Sequence, residues 1–268
     1  MLIEIDNLKF TYNSPNNHNF CLNIHNWKLK ERNFTILLGP NGSGKSTLLK
    51  ILMKIIDDYK GSVRLDGKEI KSFSRKDYAK LVAYVPQTIV TLFPYSVYEI
   101  VMMGRTPYLN LLGFETKEDR NIVNEILELL EISHLRKKGI NEISGGELQR
   151  VIIAKALAQK PRVILLDEPN AHLDIEHQIS IFDLLTKLKE EQNLTILAVS
   201  HDLNLAGIYS DEISFIVDGR IIISGPKQLV FTEENIQNVF HVHTKIFKSK
   251  EKNIFNVLIN PNTGGLLN

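Results

Sequence analysis

The sequence has little of several features that would fix a protein's class at once. Its single cysteine, Cys21, excludes an internal disulfide and favours a reducing compartment. Its 32 basic and 31 acidic residues leave a formal net charge of +1, without the basic excess that is typical of nucleic-acid-binding proteins. We therefore expect neither a disulfide-stabilised fold nor a nucleic-acid partner.

Long hydrophobic runs are also missing. No stretch approaches the roughly 18 to 20 consecutive apolar residues that cross a bilayer, and the first residues, MLIEIDNLKF, alternate like a strand. No basic segment precedes an apolar core there, as it would in a secretory signal peptide. We expect a chain that neither spans a membrane nor is exported by a signal peptide.

What the sequence contains is typical of a globular α/β protein, since 43% of its 268 residues are apolar and 24% are charged. The segments LIEIDNLKFTY and FCLNIHNWKL alternate apolar and polar residues, and Asp-Gly pairs at 66–67 and 218–219 lie between β-rich flanks. This pattern predicts hairpins and an N-terminal antiparallel β layer.

Apolar runs at 34–39, 163–167 and 195–200 predict strands that are buried on both faces. Helices are predicted after each of them, from about Lys45 to Ile56, from about Asp174 to Glu191, and after His201. Strands alternating with helices indicate a mostly parallel central sheet.

The segment from about 88 to 160 has helical periodicity, as in TKEDRNIVNEILELLEI, and contains no convincing buried strand. We predict one α/β domain over residues 1–249 with this helical subdomain inserted into it. The remaining residues, 250–268, are expected to form a weakly ordered C-terminal tail.

The stretch GPNGSGKST follows a buried run and precedes a helix, which is the context of a phosphate-binding loop. Its glycines let backbone N–H groups converge on an anion, and the helix N-terminus adds about half a positive charge. We expect Lys45 to reach the β and γ phosphates of ATP and the Ser46 hydroxyl to ligate Mg²⁺. The residues predicted to bind the nucleotide here are Gly39, Pro40, Asn41, Gly42, Ser43, Gly44, Lys45, Ser46 and Thr47.

Two carboxylates end another buried run, VILLDEP. An unpaired carboxylate at Asp167 would be costly there, so association with Mg²⁺ is the better explanation of this residue. Glu168 is the candidate general base, a role that is typically worth about 10² to 10⁴-fold in rate. The pair therefore predicts phosphoryl transfer to water.

A second anion site is predicted at ISGGELQR, roughly a hundred residues after the phosphate loop. Ser144, Gly145 and Gly146 precede a long apolar helix, so they offer N–H groups and a hydroxyl at its N-terminus. An ordinary capping box, in which Ser144 and Glu147 bond each other's backbone, is compatible with the same residues.

These motifs, in this order, resemble the ATP-binding subunits of ABC transporters over nearly the whole chain to about residue 225. SGGE is similar to the family's signature motif, although Glu147 stands where the family most often has Gln and Ile143 where it has Leu. Gln87 in YVPQT is similar to the Q-loop residue, and Asp174 in AHLD to the D-loop.

The resemblance implies roles for these and two further residues. Gln87 would contact both the Mg²⁺ site and a membrane subunit, and Asp174 would lie beside the nucleotide. His201 in AVSHD would sense the γ phosphate, and Tyr12 would stack on adenine.

The resemblance also implies an assembly. Two copies would pack head to tail, so that the phosphate loop of one and the signature of the other bind the same ATP. The homodimer would sit on the cytoplasmic face of the membrane against two transmembrane permease subunits, with a substrate-binding protein acting through the permease.

The cargo is indicated by wording after the Q-loop. SVYEIVMMGRTPY, with a Gly-Arg-x-Pro element, looks like importers of iron(III) siderophores, haem and cobalamin. Exposed aromatic residues at Phe93, Tyr95 and Tyr108 would accept a helix of the membrane partner. Importers of molybdate or tungstate and a soluble ATPase of iron–sulfur cluster assembly remain alternatives.

Overall fold

The computed structural model describes residues 1–12, 20–88, 93–110, 113–171, 173–249 and 253–260. They fall into two compact units, the first made of Met1–Lys71 with Leu197–Asn268 and the second of Ser72–Ile196. The strands are β1 (Ile3–Thr11), β2 (Cys21–Leu29), β3 (Phe34–Leu38), β4 (Lys60–Leu65), β5 (Lys68–Glu69), β6 (Val82–Val85), β7 (Val163–Asp167), β8 (Thr195–Ser200), β9 (Glu212–Val217), β10 (Arg220–Pro226), β11 (His243–Lys248) and β12 (Phe255–Asn260). The α-helices are α1 (Lys45–Leu52), α2 (Arg75–Ala79), α3 (Val97–Met102), α4 (Lys117–Leu129), α5 (Gly145–Ala158), α6 (Ile175–Gln192), α7 (Leu203–Tyr209), α8 (Lys227–Val230) and α9 (Glu233–Phe240).

An antiparallel sheet, in the order β2-β1-β4-β5, forms the predicted N-terminal layer of the first unit. Apolar and polar residues alternate along its strands because one face of the sheet is buried. On β1, Ile3 and Ile5 lie on the buried face. The indole Nε1 of Trp27 donates to Ser214 Oγ on β9 at 2.9 Å, which joins this layer to its neighbour within the unit. The predicted hairpin at Asp66 turns β4 into β5.

The second layer of this unit is built on β3, a strand whose five residues are all buried. β3 pairs in parallel with β9, and β9 turns at Asp218 into the antiparallel β10. Both predicted Asp-Gly hairpins are therefore confirmed. Parallel pairing of an almost wholly apolar strand is typical of a strand that is buried on both faces.

The C-terminal end differs from the prediction. Residues Phe255–Asn260 form β12, which pairs antiparallel with β11, and Phe255 is buried. The expectation of a weakly ordered end after Ser249 is therefore wrong for these six residues. The segments 250–252 and 261–268 lie outside the described residues.

The second unit holds the parallel pair β6 and β7, in register from Val82 with Val163. Between these strands the described residues form helices joined by turns and contain no further strand, as the periodicity predicts. Arg105 is buried in this region, donating to Asp119 on α4 at 2.8 Å and to the carbonyl oxygen of Ala158 on α5 at 2.7 Å. The Arg105 guanidinium therefore connects α4 to α5. The bounds 88–160 of the subdomain stay a prediction.

The predicted helices are found close to their expected bounds. α1 starts at Lys45 and stops at Leu52, four residues short of Ile56, because Lys54 takes a positive φ of 56°. α6 ends where Asn193 adopts a left-handed conformation. None of the helices in the described residues has the length and apolar character to cross a bilayer.

Candidate active site

The phosphate loop connects β3 to α1, and its glycines are required by the backbone. A Cβ on Gly39 would overlap the carbonyl oxygen of Ile216, and Gly42 and Gly44 have φ of 77° and 105°. A Cβ on Gly44 would also come 2.7 Å from Cζ of Phe20. Residues with side chains rarely adopt these conformations, so the loop depends on glycine.

Lys45 lies at the centre of this loop. It is buried, and its Nζ donates to the carbonyl oxygens of Gly39 and Pro40, both at 2.8 Å. The helix that follows has no side-chain cap at Gly44, and Ser43 Oγ is buried without a hydrogen-bond partner. A buried ammonium, an uncapped helix start and an orphaned hydroxyl fit an anion such as a phosphate. Ser46 is exposed, so its hydroxyl is accessible to a cation.

Tyr12 lies beside the same helix. Its hydroxyl is 3.3 Å from Thr47 Oγ1, and its ring packs edge-to-face against Phe10 with centroids 4.8 Å apart. The ring of Tyr12 remains 42% exposed. An exposed aromatic face held next to a phosphate loop is suited to stacking on a planar base.

In the second unit, Asp167 ends β7 and accepts a hydrogen bond from the Tyr84 hydroxyl at 3.3 Å. Burial, and then the negative charge of Asp167, raises the pKa of Tyr84 to about 12. Tyr84 therefore stays a protonated donor at neutral pH. Sequence reasoning missed this residue, because only the parallel pairing of β6 and β7 places it beside Asp167.

Glu168 follows directly and has an unusual backbone. Its φ is 48°, although the next residue, Pro169, favours extended conformations at this position. Such strain costs about 1 to 3 kcal/mol and is concentrated at functional sites. Gln87 Nε2 donates to Glu168 Oε2 at 2.8 Å, so the structure brings these two predicted residues together.

The signature segment starts α5 with a complete capping box. Ser144 Oγ accepts from the backbone N–H of Glu147 at 3.3 Å, and Glu147 Oε2 accepts from the Ser144 N–H at 2.7 Å. The backbone and side-chain hydrogen bonds from Ser144 hold the pKa of Glu147 below its usual range. Glu147 therefore completes the N-terminal cap of α5, at a position where the family most often has glutamine.

A histidine that sequence reasoning missed links the signature to the D-loop. Asp174 caps α6 and accepts from the His177 N–H at 2.9 Å, and it lies 2.7 Å from His177 Nδ1. These hydrogen bonds hold the pKa of Asp174 below its usual range. The ring of His177 lies so close to Gly146 that any Cβ there would overlap it. The sequence signal for this contact was Asp174, a residue type typical of a helix N-cap, three residues before His177.

His201 is exposed and follows β8 directly. The Asp202 N–H donates to Ser200 Oγ at 3.0 Å, which fixes the backbone on both sides of the histidine. The predicted residues in the first unit are Tyr12, Gly39 to Thr47, and His201. Those in the second are Gln87, Ser144 to Glu147, Asp167, Glu168 and Asp174.

A family profile described as ABC transporter matches residues 22–171, more than half of the chain. The chain is similar to the petrobactin import ATP-binding protein FpuC of Bacillus anthracis, with 37% identity over 234 residues that cover 87% of this chain and 85% of the relative. It is similar to the iron(3+)-hydroxamate import ATP-binding protein FhuC of Bacillus subtilis, with 39% identity over 228 residues that cover 85% of each chain.

Two solved structures are similar over most of the chain. One is an ABC transporter of the metal-chelate type in an inward-facing conformation, with a TM-score of 0.83, 29% identity and 99% of both chains covered. The other is the dimeric ATP-binding cassette MJ0796 in a post-hydrolysis state with ADP and phosphate, with a TM-score of 0.70, 29% identity, and 84% of this chain and 98% of that chain covered. The fold is therefore that of an ABC ATP-binding cassette, and MJ0796, which has this fold, was solved with bound nucleotide.

Proposed function

The chain belongs to the ABC transporter family of ATP-binding proteins and is an ATPase, and we propose that it drives import of an iron(III) chelate through partner membrane subunits. The observation that carries the proposal is the phosphate loop, in which Lys45 is buried against two loop carbonyls at an uncapped helix start. An ammonium held at a helix N-terminus, next to a loop of backbone N–H groups, is suited to binding phosphate.

We assign nucleotide binding to the loop and to Tyr12. The N–H groups over 39–47 would hold the phosphates, Lys45 would contact the β and γ phosphates, and the exposed ring of Tyr12 would stack on adenine. Ser46, Asp167 and Gln87 would hold Mg²⁺, since hydroxyl, carboxylate and amide oxygens suit that cation. Bound there, Mg²⁺ would neutralise charge that develops on the phosphoryl oxygens.

The hydrolytic step is assigned to Glu168, whose carboxylate would take a proton from the attacking water. In this structure the Glu168 carboxylate accepts a hydrogen bond from Gln87 Nε2 at 2.8 Å, so the Gln87 amide already contacts the proposed base. The imidazole of His201, exposed after β8, would donate a hydrogen bond to the γ phosphate.

The signature would complete the site in a second copy of the chain. ABC cassettes function as dimers, and MJ0796 is a dimeric example. In the capping box the Ser144 side chain is hydrogen-bonded to Glu147, so its hydroxyl would turn from that carboxylate to donate to a phosphate oxygen. The N–H groups of Gly145 and Gly146 lie at the start of α5, where the helix dipole favours an anion, and Asp174 would lie beside them.

The membrane partner would contact the exposed aromatic residues after the Q-loop. Phe93 is 63% exposed and Tyr95 is 37% exposed, and their rings pair with centroids 5.9 Å apart. Tyr108 is also 37% exposed, with its hydroxyl donating to the carbonyl oxygen of Gln159. The names of FpuC and FhuC support an iron(III) siderophore as cargo, delivered by a substrate-binding protein.

The test is uptake by cells of the source organism whose chromosomal copy carries Glu168→Gln. A matched strain carries Glu190→Gln, which makes the same change on the exposed surface of α6. Uptake of labelled iron(III) siderophores, haem, cobalamin and molybdate is measured in both strains. We expect loss of one metal chelate's uptake in the Glu168→Gln strain alone.

Two results would contradict this proposal. Loss of molybdate uptake alone would assign the chain to oxyanion import. Unchanged uptake of every compound would reject an importer and favour a soluble ATPase of an assembly system. The Glu190→Gln strain separates either result from a general effect of removing a carboxylate.

A further inference from the structure

We propose that Asn204 is a positioning residue for His201, and that it acts by fixing α7 to the hairpin of β11 and β12. This hairpin is called the C-terminal hairpin below. The inference rests on the proposed role of His201 at the γ phosphate. It adds a requirement within the first unit, because residues of the C-terminal hairpin, far from His201 in the sequence, would then affect the rate of ATP hydrolysis.

The amide of Asn204 is paired with the backbone of Val257 in both directions. The Val257 N–H donates to Asn204 Oδ1 at 2.7 Å, and Asn204 Nδ2 donates to the Val257 carbonyl oxygen at 3.4 Å. The side chain therefore satisfies two backbone groups of β12 that would otherwise need water. An alanine could make neither bond.

The opposite end of α7 is fixed to the same strand. A Cβ on Gly207 would overlap the carbonyl oxygen of Phe255, so helix and strand are in backbone contact there. Lys227 is 2% exposed, and its Nζ donates to the carbonyl oxygens of Gly207 and Ile208 at 2.9 and 3.2 Å. The same ammonium lies 5.6 Å from the centre of the Phe255 ring. The helix is thus held to the C-terminal hairpin at both ends.

His201 is connected to this helix by its immediate neighbour. Asp202 caps α7, with its Oδ1 accepting from the Leu205 N–H at 2.9 Å, while its own N–H donates to Ser200 Oγ at 3.0 Å. His201 lies between these two anchors. A shift of α7 relative to β12 would therefore move the backbone that carries the imidazole.

Small displacements matter for such a group. A misplacement of about 1 Å by a change distant from the chemistry can lower a rate by about a hundredfold. The side chain of His201 is exposed, and its backbone lies between the bonds made by Ser200 and Asp202. We therefore expect Asn204 to affect hydrolysis while leaving the phosphate loop unchanged.

The experiment compares four forms of the full chain, namely wild type, Asn204→Ala, His201→Ala and the double variant. The kcat of Mg²⁺-dependent ATP hydrolysis and the Kd for ATP are measured for each. We expect Asn204→Ala to lower kcat by about tenfold with the Kd within about twofold. In the His201→Ala background the same change should alter kcat by less than about twofold, since residues that act as a unit are not additive.

Two further variants separate positioning from general destabilisation. Asn235→Ala removes another amide-to-backbone bond nearby, from Asn235 Nδ2 to the carbonyl oxygen of Val230, which does not involve α7. Asn204→Asp keeps the acceptor for the Val257 N–H and should lower kcat less than alanine does. Thermal unfolding of every variant identifies any that fails to fold.

The outcomes are distinct. Equal losses of kcat in Asn204→Ala and Asn235→Ala, or an undiminished effect of Asn204→Ala in the His201→Ala background, would overturn the inference. If Asn204→Ala does not fold, an Asn204→Leu variant, which also makes neither bond, would overturn it by retaining wild-type kcat. A His201→Ala variant with wild-type kcat would instead reject the proposed role of His201.

Discussion

At the scale of single residues, the hydrogen bond from Gln87 to Glu168 joins positions that lie 81 residues apart in the sequence. Glu168 has a left-handed backbone and a carboxylate directed by a neighbouring amide. The candidate base is therefore oriented by the loop after β6 as well as by the strand that carries it. A movement of that loop would change the direction of the carboxylate.

Gly146 gives a prediction at the same scale. Gly146→Ala should force the ring of His177 aside and break its contact with Asp174, because no room exists for a Cβ. We expect kcat for ATP hydrolysis to fall by about tenfold. The double variant with His177→Ala should recover most of this loss, since removing the ring makes room.

Gly139→Ala is the matched control, because a Cβ there would lie 3.5 Å from the nearest heavy atom, Glu142 Oε2. Steady-state kinetics of the three variants provide the measurement. Equal losses in the two glycine variants, or no recovery in the double variant, would show that the ring of His177 does not govern the signature segment.

At the scale of elements, the buried pair of Arg105 and Asp119 connects the helices after the Q-loop to α5. Burial raises the pKa of Asp119, but the hydrogen bonds from Thr116 and the Arg105 guanidinium outweigh it and hold the pKa below the usual 3.8. A carboxylate whose pKa is lowered by folding stabilises the fold above its unfolded pKa. That stabilisation is lost as the pH falls through the folded pKa.

Asp119→Asn should therefore lower the free energy of unfolding by about 3 kcal/mol at pH 7, because it leaves Arg105 buried without its charge partner. The difference between variant and wild type should shrink as the pH falls below about 4. Urea unfolding at several pH values measures both effects. Arg120→Gln, on the exposed side of α4, should change stability by less than about 1 kcal/mol. A pH-independent difference would contradict this account.

Elements with local signals were predictable from the sequence. The Asp-Gly hairpins, the mostly apolar β3 and β7, and the phosphate loop depend on neighbouring residues or on backbone conformations that favour glycine. The C-terminal strand β12 was missed, because the Lys, Glu and Asn residues before it and the Asn, Pro and Gly residues after it look like a loop. Its stability comes from the distant partners Asn204 and β11.

The same distinction applies to the candidate site. Tyr84 lies 83 residues from Asp167, and His177 lies 31 residues from Gly146, so neither contact could be predicted from neighbouring residues. The residue types of the motifs indicate which atoms bind phosphate. The residues that orient those atoms are determined by strand pairing and helix packing.

At the scale of the whole molecule, we propose that the chain carries two different anion sites, the phosphate loop and the start of α5. ABC cassettes function as dimers, and MJ0796 is a dimeric example with ADP and phosphate bound. We propose that this protein hydrolyses ATP between two copies. Both the base and the second half-site are then needed for turnover, while only the second half-site is needed for assembly.

The most direct test is light scattering of the Glu168→Gln variant in ATP and Mg²⁺, beside a hydrolysis assay of the wild type. We expect that the wild type hydrolyses ATP, and that the variant loses at least about a hundredfold in rate yet forms a stable dimer with ATP. The Ser144→Arg form of the variant should stay monomeric, because it blocks the second half-site. A Glu168→Gln variant that hydrolyses ATP at the wild-type rate and remains a monomer would contradict the account.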